Sequence, residues 1–342
     1  MRKRLSVILP AFNEEENIDR AVQALAEVLE PAEIPYELLF VDDGSTDRTW
    51  ERILGAAQVN ARVTGIHFSR NFGKEAAIYA GLGQATGDAV AVMDCDLQHP
   101  PSALLEMYER YEEGYDLVEG VKSDRGRESS LHGKSAALFY RLMSGAVGVD
   151  MQNASDFKLM DRKVVQAILS LPERNMFFRA TASWVGYRTA TVYFTVQERQ
   201  AGTSKWGTFS LIRYAFRNIV SFTTAPLQLV SFGGILCLLF SVILAVYSLI
   251  MKFTGNAVSG YTTLLIVMLF IGSSVMISLG IIGYYIARIY EEVKHRPRYI
   301  ISSVVQRDTG VKDLLNGSEN REQAGIRRNS PGTITDPEGK NS

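Results

Sequence analysis

The sequence predicts an α/β domain with a mostly parallel sheet, followed by two long apolar helices. Three observations carry that expectation. Short apolar runs alternate with helix-forming segments through the first third of the chain, the pattern of strands in a sheet covered by helices on both faces. A polar cluster follows each of these runs. Further on, residues 218–251 and 253–287 contain no charged side chain, and each stretch is longer than the roughly 20 residues that span a bilayer. A hydrophobic share of 46% and a net charge of −1 over 342 residues exclude a disordered chain and one that coats nucleic acid.

Leu5-Ser6-Val7-Ile8-Leu9 reads as the first strand, which Pro10-Ala11-Phe12-Asn13 turns into a helix with an acidic first turn at Glu14, Glu15 and Glu16; helix dipoles favour that placement. A second strand, Glu37-Leu38-Leu39-Phe40-Val41, ends at Asp42-Asp43-Gly44-Ser45-Thr46-Asp47, where Ser45 or Thr46 can cap the next helix. A third strand over 63–68 leads into Ser69-Arg70-Asn71-Phe72-Gly73-Lys74 and a helix to about Gly81. The run Ala89-Val90-Ala91-Val92-Met93 is a buried strand, and Pro100, Pro101 and Ser102 start the helix after it. Ligands of such sheets bind beyond the carboxyl ends of the strands, where all these clusters fall. Gly81-Leu82-Gly83-Gln84-Ala85-Thr86-Gly87 is not a dinucleotide fingerprint, because its glycines follow a helix and precede a strand.

Between the fourth strand and its helix lies Asp94-Cys95-Asp96-Leu97-Gln98-His99-Pro100. Carboxylates at i and i+2 point the same way off a strand. Asp94 and Asp96, with Gln98 as a neutral oxygen, suit a hard cation such as Mg²⁺ or Mn²⁺ that takes further ligands from substrate phosphates. The plainer reading is an acidic turn capping a helix. Asp42 or Asp43 can accept hydrogen bonds from a base N–H and a ribose hydroxyl, and Arg70 and Lys74 bring positive charge toward a diphosphate. The plainer reading of Asp42 and Asp43 is again a capping turn.

The apolar helices are placed near 227–251 and 261–287. Arg213 and Arg217 precede them and Arg288, Lys294, Arg296 and Arg298 follow, while the connecting loop carries only Lys252; the bias puts both termini in the cytoplasm. Cys95 and Cys237 are expected to stay unpaired. Phe177, Phe178, Arg179 and Trp184, then residues 206–217, interleave aromatic and basic side chains, a composition that suits helices lying in a membrane interface. Arg179 is the cation assigned there to a lipid phosphate. The polar tail over 306–342 is expected to be disordered.

Val7-Ile8-Leu9-Pro10-Ala11-Phe12-Asn13-Glu14, Val41-Asp42-Asp43-Gly44-Ser45-Thr46-Asp47 and Met93-Asp94-Cys95-Asp96-Leu97-Gln98-His99-Pro100 together resemble the family-2 inverting glycosyltransferases. The chain is similar, over roughly residues 5–300, to the branch that uses polyisoprenyl phosphates, which includes dolichol-phosphate mannose synthase and bactoprenol glucosyltransferases. The resemblance implies a GT-A (Rossmann-like) fold, with a catalytic domain over 1–205, juxtamembrane amphipathic helices over 206–226, a two-helix membrane region over 227–288 and a cytoplasmic segment over 289–342. It implies that Pro10, Ala11, Asn13, Glu14 and Asp43 line the nucleoside site, and that Asp94, Asp96 and Gln98 hold the metal and diphosphate. Asp156 matches the residue usually assigned as catalytic base and, with Asp96, makes up the catalytic pair. Arg199, Ser204 and Lys205 match a loop near diphosphate and acceptor, and Arg125 and Ser135 fall where relatives bind the lipid phosphate.

The activity implied is inverting transfer of one sugar from a nucleotide-diphosphate sugar to an undecaprenyl or dolichyl phosphate in the bilayer. UDP-glucose or UDP-N-acetylglucosamine is favoured as donor. Relatives of this shape are compatible with a homo-oligomer. A processive polysaccharide synthase is the alternative, although no Q-x-x-R-W pattern is present. A non-catalytic nucleotide-sugar-binding scaffold is the other.

Overall fold

The structure is a computed structural model that describes residues 2–123, 155–172, 177–195, 225–254, 260–307 and 310–313. Among these, nine strands form one mixed sheet in the order β7-β5-β6-β4-β1-β2-β3-β8-β9. Its centre is parallel: β1 (Leu5–Ala11) lies between β4 (Ala89–Val92) and β2 (Tyr36–Asp42), and β2 pairs with β3 (Val63–Phe68). These are the four strands the sequence predicts. Their residues are almost all buried, because helices cover both faces and a strand so enclosed reads as a continuous apolar run.

The flanks are not parallel. β6 (Lys158–Asp161) runs antiparallel to β4 and to β5 (Leu117–Lys122), and β5 pairs in parallel with β7 (Thr189–Phe194). On the other side β8 (Ile301–Gln306) runs antiparallel to β3, and β9 (Gly310–Asp313) to β8. The tail expected to be disordered from 306 therefore contributes Gly310–Asp313 to the sheet. It adds to the outer edge of β8, which itself covers the edge of β3.

Alternate side chains of the central strands feed two cores. Leu5, Val7, Leu9, Leu38 and Phe40 pack with α1 (Ile18–Leu29), α2 (Thr49–Val59) and α4 (Pro101–Glu112). Ile8, Leu39, Val41, Val90 and Val92 pack with α3 (Lys74–Gln84), α5 (Arg162–Ser170) and α6 (Phe178–Trp184). Phe177 and Phe178, read from sequence as interfacial, belong inside, with 4% and 0% exposure, whereas Trp184 is exposed.

Two helix starts differ from expectation. β1 continues through Pro10 to Ala11, which is tolerable because its pairing with β4 stops at Ile8 and proline has no N–H to offer a second neighbour. α1 then starts at Ile18, so Glu14, Glu15 and Glu16 lie in the loop before it. α2 starts at Thr49: Asp47 Oδ1 accepts from Thr49 N (3.0 Å), while Ser45 and Thr46 bond elsewhere.

The chain continues with two long helices, α7 (Ala225–Phe253) and α8 (Tyr261–Val293), at the positions of the two charge-free stretches. Among the described residues, Phe270–Val293 is the segment long and apolar enough to cross a membrane by length and composition. Phe270, Met276, Ile277 and Ile286 expose 56%, 69%, 65% and 60% of their surface.

Candidate active site

The polar clusters converge at the carboxyl ends of β1, β2 and β4. Two loops are stitched together first. Asn13, in the left-handed region at φ 56°, donates its N–H to Ser45 Oγ (2.9 Å) and accepts from Thr46 N (2.9 Å). Glu14 N donates to Thr49 Oγ1 (2.8 Å), and the Glu14 carboxylate accepts from Asn17 Nδ2 (2.6 Å). Pro10 and Ala11 form the floor at the end of β1, where the Cys95 thiol donates to Pro10 O (3.3 Å).

The two aspartates after β2 have separate tasks. Asp42 has no exposed surface. Its Oδ1 accepts from Ser45 N and Oγ (3.1 and 2.5 Å), and its Oδ2 lies 2.6 Å from His67 Nδ1. Asp42, read from sequence as a nucleoside ligand, thus holds the turn through one oxygen and His67 of β3 through the other, from within the core. Asp43 accepts from Phe72 N (2.6 Å) and Gly73 N (2.8 Å); burial raises its pKa although those hydrogen bonds oppose the shift. Asp43 thus ties the end of β2 to Gly73, whose φ of 100° suits only glycine. α3 begins immediately after it.

Lys74, the first residue of α3, reaches two carboxylates from different parts of the chain: Asp94 Oδ1 at 2.6 Å and Asp156 Oδ2 at 2.8 Å. Burial opposes its charge, but the two carboxylates outweigh that cost and hold the pKa above the usual lysine range. Asp156 is buried, 6% exposed, and sits in the fork of Arg179, with Nε to Oδ1 at 2.6 Å and Nη2 to Oδ2 at 2.8 Å. Burial alone would raise its pKa; Arg179 and Lys74 overcome it and hold the carboxyl far below the usual range. Arg179, which the sequence gives to a lipid phosphate, docks its guanidinium on Asp156 in the structure. Arg70 is exposed and lies over the Phe72 ring, 4.2 Å from its centroid.

Asp94, Asp96 and Gln98 follow β4 on a half-exposed loop. Gln98 N donates to Asp96 Oδ1 (3.1 Å) around Leu97, which is held at φ 55°. A leucine in the left-handed region is strained, so this loop is shaped by more than local preference. No group of three His, Cys, Asp or Glu side chains gathers among the described residues. Two hard carboxylates on one loop still fit a divalent cation of the Mg²⁺ or Mn²⁺ kind, which takes its other ligands from phosphates and water. Arg125, Ser135, Arg199, Ser204 and Lys205 lie outside the described residues, as do residues 206–224.

Three nearby groups were not legible in the sequence. Glu75, beside Lys74, accepts from Phe178 N (2.9 Å). Lys158, with no exposed surface, pairs with Glu119, which also accepts from Ser183 Oγ (2.9 Å). His99 is buried against Phe157, with ring centroids 4.9 Å apart. The only sequence signal among them was the position of Glu75 in the first turn of a predicted helix.

The Glycosyl transferase family 2 model matches residues 6–169. An uncharacterized glycosyltransferase of Synechocystis is 39% identical over 306 residues, covering 89% of this chain and 96% of that one. The bactoprenol glucosyl transferase of Shigella phage SfV is 39% identical over 306 residues, covering 89% of this chain and 100% of that one. The prophage bactoprenol glucosyl transferase homolog of Escherichia coli K12 is 38% identical over 303 residues, covering 88% and 99%. Among solved structures, glucosyl-3-phosphoglycerate synthase from Mycobacterium tuberculosis is a distant likeness: TM-score 0.45, 18% identity, covering 64% of this chain and 77% of that one. The chain belongs to glycosyl transferase family 2. It is a glycosyltransferase enzyme with a GT-A-like, Rossmann-type α/β fold and a mixed sheet.

Proposed function

We propose that this enzyme transfers a single sugar, with inversion, from a UDP-sugar to a polyprenyl phosphate at the cytoplasmic face of a membrane. The observation that carries the reading is the junction at Lys74, where Asp94 from the β4 loop and Asp156 from before β6 meet one ammonium. It supplies a nucleotide-diphosphate side and an acceptor side within one cluster. UDP-glucose is the first donor to test, because relatives of nearly equal length are named bactoprenol glucosyl transferases. The long C-terminal helices and the exposed apolar side chains of Phe270–Val293 support a membrane-held enzyme; in this reading both α7 and α8 cross the bilayer and both termini face the cytoplasm.

In the mechanism, Asp43 and the linked Asn13 loop form the nucleoside end, with Pro10 and Ala11 beneath. Asp94 and Asp96 would hold a divalent cation, which when bound offsets charge developing on the departing diphosphate. Lys74 adds a positive charge at the same place. On the acceptor side, Asp156 is ionised and stays so at neutral pH, since its carboxyl is held far below the usual range by Arg179 and Lys74. A carboxylate of such low proton affinity makes a poor base. A phosphate monoester with a second pKa of about 6 needs none, because it is already largely dianionic at pH 7. Asp156 therefore orients the reacting groups, and the phosphate oxygen attacks the anomeric carbon opposite the leaving diphosphate.

The test is radiolabel transfer by the full chain in detergent, with undecaprenyl phosphate, a panel of UDP- and GDP-sugars, Mg²⁺ or Mn²⁺, and Asp96→Ala in parallel. Label should enter the organic phase from one UDP-sugar, and chelation by EDTA or the substitution should abolish it. Nucleotide binding without transfer from any donor would leave a nucleotide-sugar-binding scaffold in place of this reading.

A further inference from the structure

We propose that Glu75 is a positioning residue for the acceptor end of the cleft: by accepting the Phe178 N–H it fixes the segment that carries Arg179, and so holds the Arg179 fork on Asp156. The proposal rests on the reading that Asp156 serves the acceptor. Its geometry is independent of that reading.

Lys74 and Glu75 are consecutive at the start of α3, yet they grip opposite sides of one ion pair. Lys74 Nζ lies 2.8 Å from Asp156 Oδ2. Glu75 Oε2 accepts from Phe178 N at 2.9 Å, 103 residues away in sequence. The next residue after Phe178 is Arg179, whose two donors meet both Asp156 oxygens. Phe178 itself has no exposed surface and packs in the core formed with α3, so the anchor is tied at both its backbone and its ring. Distances across such a fork set bidentate geometry, and a displacement of about 1 Å can cost on the order of a hundredfold in rate.

Glu75 is also electrically unlike a surface glutamate. Desolvation and the neighbouring Asp156 charge raise its pKa to about 7, with the Phe178 hydrogen bond, Arg179 and Lys74 opposing. A carboxyl raised in the folded state stabilises fully below its unfolded pKa of about 4.3, and loses that contribution as pH rises through the folded value. The loss thus falls between about pH 4 and 7. The groups facing it are Asp156, Arg179 and Lys74, and ionisation adds a negative charge to that cluster.

The test uses Glu75→Ala, Glu75→Gln and Arg179→Met in the full chain. Glu75→Ala should lower transfer to undecaprenyl phosphate by about tenfold or more, with UDP affinity by calorimetry unchanged. Glu75→Gln keeps an acceptor oxygen without the charge. It should restore most of the rate near pH 6 and should flatten the fall in melting temperature that wild type shows as pH rises toward 7. A double-mutant cycle on melting temperature, Glu75→Ala with Arg179→Met, should be non-additive, as coupled neighbours are. Additive effects, an unchanged rate in Glu75→Ala, or joint loss of UDP binding and rate would each overturn the clamp. Wild-type protein that transfers to no acceptor would defeat the acceptor reading, while the cycle still decides the clamp.

Discussion

Asp156 shows how a carboxylate can be indispensable without moving a proton. Its hydrogen bonds to Arg179 and Lys74 outweigh its burial and hold it ionised. A carboxyl depressed in this way contributes stability above its unfolded pKa, about 3.9, and loses it only as pH falls through the still lower folded value. Asp156 therefore stays ionised at neutral pH. We expect Asp156→Asn to bind UDP as wild type does and to lose turnover by about a hundredfold or more, as when a transition-state contact is removed. The acidic limb of the rate profile, near the acceptor phosphate pKa of about 6, should persist in the variant; its disappearance would restore Asp156 as general base. The family resemblance pointed to Asp156, but not to its partner. Arg179 lies 23 residues on, and two phenylalanines before an arginine look the same whether the rings enter a core or a membrane interface.

At the scale of elements, the site hangs on the start of α3. Asp43 fixes the two residues before it, Lys74 spans two carboxylates, and Glu75 reaches α6. The helix can hold these positions because it sits directly on β1: a Cβ at Gly81 would collide with the Ile8 side chain. Gly81→Ala should therefore destabilise by about 1–3 kcal/mol through overpacking and weaken transfer by tilting Lys74. Gly55 in α2 has nothing within 4 Å of the same added atom, so Gly55→Ala should stabilise by about 0.5–1 kcal/mol. Melting curves of the pair distinguish packing from propensity. Strands β1 to β4 were legible because burial on both faces leaves an unbroken apolar run. β5 and β6 were not, since each carries a charge into the interior: Lys158 has no exposed surface and pairs with Glu119. Such a strand looks polar until its partner is known.

Across the whole molecule, the chain leaves the catalytic sheet, forms its two long helices and comes back to the sheet. Seven residues separate the end of α8 at Val293 from β8 at Ile301, and that short segment is heavily tied to the catalytic domain. Arg298 donates to Leu171 O (3.1 Å), and Tyr299 stacks on Phe68, with centroids 5.2 Å apart. Ser69 N donates to Ile300 O (3.0 Å), and Ser302 Oγ to His67 O (3.0 Å). These contacts grip β3 and the start of the loop that ends in Lys74, so a helix read as membrane-spanning is connected to the site through a few residues. A chain ending after residue 313 keeps every one of them, and we expect it to match the full chain in melting temperature and transfer rate. Ending after residue 299 removes β8 and β9, uncovers the backbone edge of β3 and strips Val305 from the core. That shorter chain should melt several degrees lower, by about 4 °C or more, and transfer little sugar. If both chains were equally active, the return strands would be an accessory to the sheet, and Arg298 and Tyr299 would suffice to link the helix to it.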